Sequence, residues 1–585
     1  MTVGVSGSRR RSQERFVAIV GRRGRFLVAE PLFERGGQVG LARGSIRVRP
    51  GGIVLAERRA GGARVVVELG APDVAADVVE ALLVERGIER GFPNALVSQA
   101  REGVGAAREV GGTRRDLTEL PTLTVDPASA HDFDDAVSAE REGDGIRLWI
   151  HIADVSAHVR PGSGLDDEAL RRGTSVYAPG TAEPMLPAEL SSDACSLAPG
   201  VERLAVTAEI VLDARGETRS ASFYRSRIVS DHRFDYDQLD RFFAGKERPP
   251  ASIEPHLDLA RRAAAALASR RSGALEVTST EPSFEFDSAG HVVGASAIEQ
   301  TEAHGLIEQL MILTNERVAE LCERRGVPTL YRVHEQPDPQ RVAVLFDQLA
   351  ALDLPTPPLP EKLGAREAGA LVAAVSSLVT AEAARRGHGA TTYTSLVLRS
   401  LKQAYYSHRN LGHAGLGSPA YAHFTSPIRR YPDLIAHRAL LFLLGAGEDE
   451  PERTAVSEAG WWCSEREREA AAIERDADKV CAAFLLEREL FESGWKRDFD
   501  GEVSGVIGAG AFVRFTGELA DVYEGFLPAR RLRGERFDLD QTETSLIGRK
   551  SGRRIRLGDP ITVRVDGVEA PRGRVDLIPW ERAEK

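Results

Sequence analysis

Between Arg15 and Leu69 the apolar residues come in short alternating runs (FVAIV, RFLVAE, SIRVR, GIVLAE, ARVVVEL) separated by glycine-rich breaks. Several short strands with that punctuation predict a small β-barrel of OB-like size. From Pro72 to Ala100 the spacing shifts to the three- and four-residue steps of a helix, as in DVAADVVEALLVERG. Residues 116–232 return to strands (TLTVD, IRLWIHIADV, LAVTAEIVLD) among proline-rich irregular segments. Helical patterns occupy 257–271, 300–325, 365–410 and 429–493, with LPTPPLP (Leu354–Pro360) as a connector. After Trp495 the alternation resumes in FDGEVSGVIGAGAFVRF, EGFLPARRL and GDPITVRVDGVE, the texture of a five-stranded OB barrel. The pattern predicts a multidomain α+β chain. It has a basic disordered arm at 1–14, a barrel with a helical linker at 15–115, a mixed α+β domain at 116–493 and a second barrel at 494–585. No repeat of solenoid period interrupts this order.

Composition adds little to that outline. The chain has 585 residues, 42% hydrophobic and 28% charged, which is ordinary for a folded protein and excludes a mainly disordered or fibrous one. Net charge is -11, so the whole chain carries no polyanion-binding signature, although residues 1–50 hold 11 Arg against 3 Glu. Cys195, Cys322, Cys463 and Cys481 lie far apart with no CxxC pair, which argues against a zinc site or a disulfide framework and fits a reducing, cytoplasmic setting. The N-terminal residues lack the apolar run of a secretory signal, and the apolar stretch Ala439–Leu444 is too short to span a bilayer, so no membrane association is expected.

The chemistry concentrates in Thr122–Val137, TLTVDPASAHDFDDAV. A hydrophobic strand delivers Asp126, and a loop broken by Pro127 then delivers Asp132, Asp134 and Asp135. Four like charges so close repel one another unless they are solvated or neutralised by cations. Oxygen ligands without His or Cys suit Mg²⁺ or Mn²⁺, and two such ions about 4 Å apart are a device for in-line attack at phosphorus. On spacing alone, a solvated acidic loop or a structural calcium site fits equally well. The loop lacks the Gly and Glu that an EF-hand requires.

The run DPASAHDFDDAV is followed by LWIHIADVSAHV, GTSVY, PMLPAEL, HGLIEQLMILTNERVA, LYRVHEQPDP, LRSLKQAYYS and YAHFTSPIRRYPDLIAHR. This ordered set, across 116–493, resembles the catalytic domain of the ribonuclease II / ribonuclease R family, with an S1-type OB module after it. The resemblance implies processive 3′→5′ hydrolysis of single-stranded RNA to nucleoside 5′-monophosphates, dependent on Mg²⁺, by an enzyme expected to be a monomer. It makes Asp126, Asp132 and Asp135 metal ligands, and Asp134 a ligand tied most closely to the chemical step. It makes Arg429 the arginine that stabilises charge on the scissile phosphate, with Arg430 a second RNA contact. An Arg pair at a helix start is, by itself, more commonly solvated or ion-paired. Tyr177 matches the family's aromatic that stacks at the 3′-terminal base, and Glu474 its carboxylate at the 3′-terminal nucleotide.

Four departures stand out: Ala414 where Phe is usual, Gln309 where Glu is common, room for only one barrel before the catalytic domain, and no long Lys-rich tail at the C-terminus, which ends at Lys585. His131, His151, His158 and His423 are read as structural or solvent-facing. The serines of GTS and TSP lack nucleophile-elbow partners, and no GxxxxGK[ST] occurs. Two alternatives remain: a catalytically silent RNA-binding relative, which should have lost a carboxylate, and a metal phosphodiesterase for small nucleotides, which would not need two barrels. In the second barrel, Phe512 and Phe515 fall on opposite strand faces, and Arg549–Arg556 forms a basic segment.

Overall fold

The computed structural model describes residues 15–42, 48–107, 112–271, 281–360, 362–520, 522–532 and 534–579. The expected arm at 1–14 lies outside them. Strands β1 (Arg15–Arg23), β2 (Phe26–Pro31), β3 (Val39–Gly40), β4 (Ile53–Arg59) and β5 (Gly62–Gly70) form an antiparallel sheet in the order β3-β2-β1-β4-β5. Leu41 bridges to Ala63, so the two edges meet at one point. The third strand among the described residues is Val39–Gly40; of the SIRVR run, residues 45–47 lie outside the described residues, and Val48 and Arg49 are not in a strand. Two helices follow, α1 (Ala75–Glu85) and α2 (Asn94–Ala106).

The middle of the chain is built on a seven-stranded sheet. Its strands are β6 (Arg115–Asp116), β7 (Leu123–Val125), β8 (Asp135–Glu142), β9 (Gly145–Ala153), β12 (Glu202–Leu212), β13 (Thr218–Val229) and β14 (His232–Phe234), in the order β14-β7-β8-β9-β12-β13-β6. Between β9 and β12 lie helix α3 (Gly164–Arg172) and a short hairpin, β10 (Val176–Ala178) with β11 (Thr181–Glu183). One face of the sheet packs on α5 (Glu254–Arg270), after the short α4 (Tyr236–Phe243), and on α6 (Glu302–Arg325). The other face carries loops and side chains such as Met185, Leu190 and Leu434. Covered on both sides, β9 reads as a nearly continuous buried run rather than an alternating one.

A chain of buried polar groups crosses this sheet strand by strand. Thr122 Oγ1 meets Ser138 Oγ at 2.8 Å, Ser138 Oγ meets His151 Nε2 at 3.2 Å, His151 Nδ1 meets Thr207 Oγ1 at 2.9 Å, and Thr207 Oγ1 meets Ser226 Oγ at 2.6 Å. His151 is therefore structural, as expected, and burial lowers its pKa to about 3. The unfolded chain takes up a proton near pH 6.5 that the folded chain refuses, so this histidine's contribution is intact above pH 6.5 and is lost as pH falls towards 3. At pH 5 the loss amounts to about 2 kcal/mol. Urea unfolding at pH 7 and pH 5 should show the native protein losing that much more than His151→Gln; equal losses would refute the assignment.

A second block contains the hairpin β15 (Glu281–Phe286) and β16 (Val292–Ile298), which precedes α6, and, after α6, strand β17 (Tyr331–Val333) and helices α7 (Pro339–Ala351), α8 (Ala365–Arg386) and α9 (Ala390–Ser400). The helical pattern read over 365–410 breaks at Gly387 and Gly389, both with positive φ, and ends in β18 (Tyr405–Ser407). By length and composition α8 is apolar enough to cross a membrane. Its buried positions Ala368, Val372, Val375, Ser376, Val379 and Ala383 recur at helical steps and face the core. Helix α10 (Tyr431–Leu443) packs back against the seven-stranded sheet and its helices, and α11 (Arg453–Ser493) completes the second block.

Strands β19 (Asp498–Ile507), β20 (Gly510–Phe515), β21 (Tyr523–Pro528), β25 (Pro560–Glu569) and β26 (Arg574–Pro579) form a closed barrel, as the alternation after Trp495 predicts. A small sheet, β22 (Phe537–Leu539), β23 (Ser545–Gly548) and β24 (Arg554–Arg556), is inserted between β21 and β25. The barrel shares its core with its neighbours: Val503, Val513 and Leu527 belong to one cluster with Val372 of α8 and Leu486 of α11. Glu489, at the end of α11 and 2% exposed, accepts from Arg497 Nη1 (2.9 Å), the Glu518 amide (2.9 Å), the Leu519 amide (3.2 Å) and the Tyr523 hydroxyl (3.0 Å). Phe515 is buried and Phe512 is 36% exposed, so the two do face opposite ways. Within the basic segment, Arg549 is held by Asp538 and Arg556 by Asp353, so neither guanidinium is uncommitted.

Candidate active site

The acidic loop is fixed at both ends by the sheet. β7 runs beside β14, and the Asp126 amide donates to the Phe234 carbonyl at 3.1 Å. At the other end Asp135 opens β8 opposite Ile152, and the Asp134 carbonyl accepts from the Ala153 amide at 2.9 Å. Between them Arg233 donates to the carbonyls of Pro127 (2.6 Å) and Ala128 (3.0 Å). Ser196 Oγ donates to the His131 carbonyl (2.8 Å) and accepts from the Phe133 amide (3.0 Å). His131 is used through its carbonyl and its side chain is exposed.

This scaffold gathers the four aspartates. Asp134 is buried; its Oδ1 accepts from the Ile428 amide at 2.8 Å, and its Oδ2 lies 3.6 Å from Arg429 Nε. Asp132 accepts from the Tyr177 hydroxyl at 2.8 Å. The buried atoms Asp126 Oδ2 and Asp134 Oδ2 have no hydrogen-bond donor. Burial drives the carboxyls of Asp126, Asp134 and Asp135 above the usual range, and Asp126 is raised further by Asp135 and Asp132. Among the described residues no three acidic, histidine or cysteine side chains close on a common point. The donor set is nonetheless that of a hard divalent cation: oxygen only, crowded, and with two buried oxygens unsatisfied.

Opposite the acids is the turn Thr425–Arg430. Its register is set by Asp433, which accepts from the Ser426 amide at 2.8 Å. Arg429 is about half exposed, beside Asp134 and with Nη2 3.3 Å from Ser426 Oγ. Arg430 is engaged differently. Its Nε and Nη2 donate to the two oxygens of Asp433 at 2.9 and 2.8 Å, and that carboxylate is fully buried. The i,i+3 spacing across a helix start ties this guanidinium to Asp433, the ion-paired arrangement common for an Arg at a helix start.

Tyr177 and Glu474 are brought together although 297 residues separate them: the Tyr177 amide donates to Glu474 Oε1 at 2.9 Å. The arm leading to Tyr177 is stitched to the arginine turn by Ser175 N to Arg429 O (2.9 Å) and Tyr431 N to Gly173 O (3.0 Å). The stacking candidate and the phosphate candidate therefore share one backbone ladder. Tyr236 completes the rim: its ring stacks on His304 at 3.9 Å, and its hydroxyl pKa is raised by burial and by the charges of Asp135 and Asp126.

The remaining candidates are structural. His423 is half-buried against Tyr406, whose hydroxyl lies 2.8 Å from Nδ1. His158 is buried. Gln309 accepts from Arg271 Nε at 2.8 Å while Glu316 takes the other two guanidinium nitrogens. At Ala414 it is the backbone that is used, the amide donating to the His334 carbonyl at 2.7 Å.

The chain that places this acidic loop opposite an arginine turn belongs to the RNB family: the RNB domain model matches residues 114–446. The chain is similar to Ribonuclease R of Escherichia coli (strain K12), 35% identical over 495 residues, which is 81% of this chain and 58% of that protein. It thus spans less than two thirds of that relative's length. Ribonuclease R of Thermotoga maritima is 34% identical over 513 residues, 84% of this chain and 69% of its own. Among solved structures, Mycoplasma genitalium RNase R in complex with ribose methylated single-stranded RNA has the same fold, with a TM-score of 0.85 at 23% identity over 97% of this chain and 90% of that one. Yeast Ssd1, a pseudonuclease, is also similar, with a TM-score of 0.65 at 16% identity over 92% and 68% of the two chains.

Proposed function

We propose that the protein is a metal-dependent 3′→5′ exoribonuclease that hydrolyses single-stranded RNA processively to nucleoside 5′-monophosphates in the cytoplasm. The observation that carries this reading is the pair of unsatisfied buried oxygens on Asp126 and Asp134, set among four carboxylates and faced by Arg429. A silent relative would have no reason to keep so costly a cluster. Asp126, Asp132 and Asp135 would hold Mg²⁺, or Mn²⁺, together with Asp134. When bound as a pair, the cations supply charge neutralisation for the attacking and leaving oxygens of an in-line displacement.

The chain's own groups do the rest. Arg429 moves from Asp134 onto the scissile phosphate, where its guanidinium takes up charge that grows in the transition state. Tyr177 leaves Asp132 to stack its exposed ring on the 3′-terminal base, a contact open to any sequence because every base has a π face. Glu474 borders the terminal ribose, where a 2′-hydroxyl gives it a donor that DNA lacks. Arg430 holds the turn. Phe512 and the surface around it offer the RNA further upstream a stacking and electrostatic grip.

The test is end dependence. A linear RNA labelled at its 5′ end should shorten stepwise with release of 5′-monophosphates. A 3′-phosphate should slow the reaction, a circular RNA should resist, and a matched DNA should be cut far more slowly. Cleavage of the circle would mark an endonuclease, and binding without cleavage a silent relative.

A further inference from the structure

The hairpin β10–β11 that carries Tyr177 is only three residues deep on each strand, too short to hold a ring in place by its own pairing. Its outer strand ends in Glu183, whose side chain is 7% exposed. Glu183 Oε2 accepts from Arg90 Nη1 at 2.9 Å; its Oε1 accepts from the Gly91 amide at 2.9 Å and from Arg172 Nη1 at 2.5 Å. The other fork nitrogen of Arg90 donates to Thr181 Oγ1 at 2.7 Å, and Arg90 Nε pairs with Glu80 of α1 at 2.9 Å. Arg172 is wrapped by the same segment: its guanidinium lies 3.9 Å from the centre of the Phe92 ring and donates to the Gly91 carbonyl at 2.5 Å.

The turn of the hairpin is seated as well. Gly180 has φ +75°, and a Cβ there would lie 3.1 Å from the Phe286 ring, so the aromatic packs closely against the turn. On the inner strand Glu474 takes the Tyr177 amide. Of these supports, Arg90, Gly91 and Phe92 come from the linker between α1 and α2, and neither they nor Glu474 lie within the RNB match at 114–446.

We infer that Arg90, acting through Glu183, is a positioning residue for Tyr177, so that the linker after the N-terminal sheet is a working part of the 3′-end site. This rests on the stacking role given to Tyr177 above. The linker sets where the ring stands, and the ring sets how much the enzyme gains from the terminal base.

The test is the ratio of kcat/KM for an RNA with an intact 3′-terminal nucleotide to that for the same RNA with an abasic 3′-terminal nucleotide, measured with the full chain and Mg²⁺. Stacking predicts a ratio of roughly 5 to 100 for the native protein, and Tyr177→Ala should bring it close to 1. Arg90→Ala should lower it towards the Tyr177→Ala value, mainly through a higher KM for the intact RNA, with the abasic RNA little affected. Arg90→Lys keeps the charge without the fork that spans Glu183 and Thr181, and should fall between. A general loss of folding would depress both substrates together and leave the ratio alone. A native ratio in Arg90→Ala and Arg90→Lys, with Tyr177→Ala collapsed, overturns the inference. A native ratio in Tyr177→Ala overturns the stacking role itself, and the inference with it.

Discussion

Asp134→Asn should lower single-turnover cleavage by roughly 10³-fold or more, about 4 kcal/mol of transition-state stabilisation, while RNA affinity stays within a few-fold of native. The substitution is nearly isosteric. An asparagine Oδ1 can still accept from the Ile428 amide, as Asp134 does at 2.8 Å, so the turn that carries Arg429 keeps its place. The other oxygen changes: where Asp134 Oδ2 lies 3.6 Å from Arg429, the asparagine presents an N–H to a guanidinium and offers a cation nothing. Loss of rate without loss of binding is the mark of a group that acts only in the transition state. Chelation should abolish turnover in the same way with little change in circular dichroism. Near-native cleavage by Asp134→Asn would remove the basis for the metal centre.

Arg429→Ala and Arg430→Ala should fail in different ways, although the two residues are adjacent. Removing Arg429 should cost roughly 10²- to 10³-fold in kcat and leave stability almost unchanged, because its side chain is half exposed and its contact with Asp134 is long. Removing Arg430 should cost about 3–5 kcal/mol of stability, because it strands a buried carboxylate that has lost its partner. Asp433 would keep only the Ser426 amide of its three donors. Thermal or urea unfolding beside single-turnover kinetics separates the two. If Arg430→Ala were as stable as the native protein and defective only in RNA binding, the division of roles drawn from the geometry would be reversed.

What could be read in advance depended on how far apart in the chain the partners lie. The acidic loop was legible because a strand, a proline-broken turn and a second strand put all four carboxylates within ten residues. The C-terminal barrel was legible because its inner and outer faces alternate cleanly. The ion pair of Arg430 was legible because its partner is three residues away: an arginine just before a helix with an aspartate in the first turn is an ion-pair signal. Arg233 and Tyr236 had no local signal. They reach the site because β14 lies beside β7, a parallel pairing across more than a hundred residues that alternation alone does not reveal. The support of Tyr177 was hidden for the same reason, since Arg90 and Glu183 are 93 residues apart and each reads as an ordinary surface charge.

Helix α11 sets a length scale. It runs unbroken for 41 residues and carries Glu474 at the Tyr177 hairpin and Glu489 at the barrel joint, fifteen residues apart. At 1.5 Å per residue that is a stiff strut of about 22 Å. A nucleic-acid strand stacked at about 3.4 Å per nucleotide covers the same distance in six or seven steps. On the proposed function, with RNA running along this helix from the Tyr177 hairpin to the barrel, a fragment shorter than about six nucleotides would occupy the cleavage end without also reaching the barrel. A chain being shortened from its 3′ end would cross that threshold abruptly, and its grip should weaken in one step rather than by degrees.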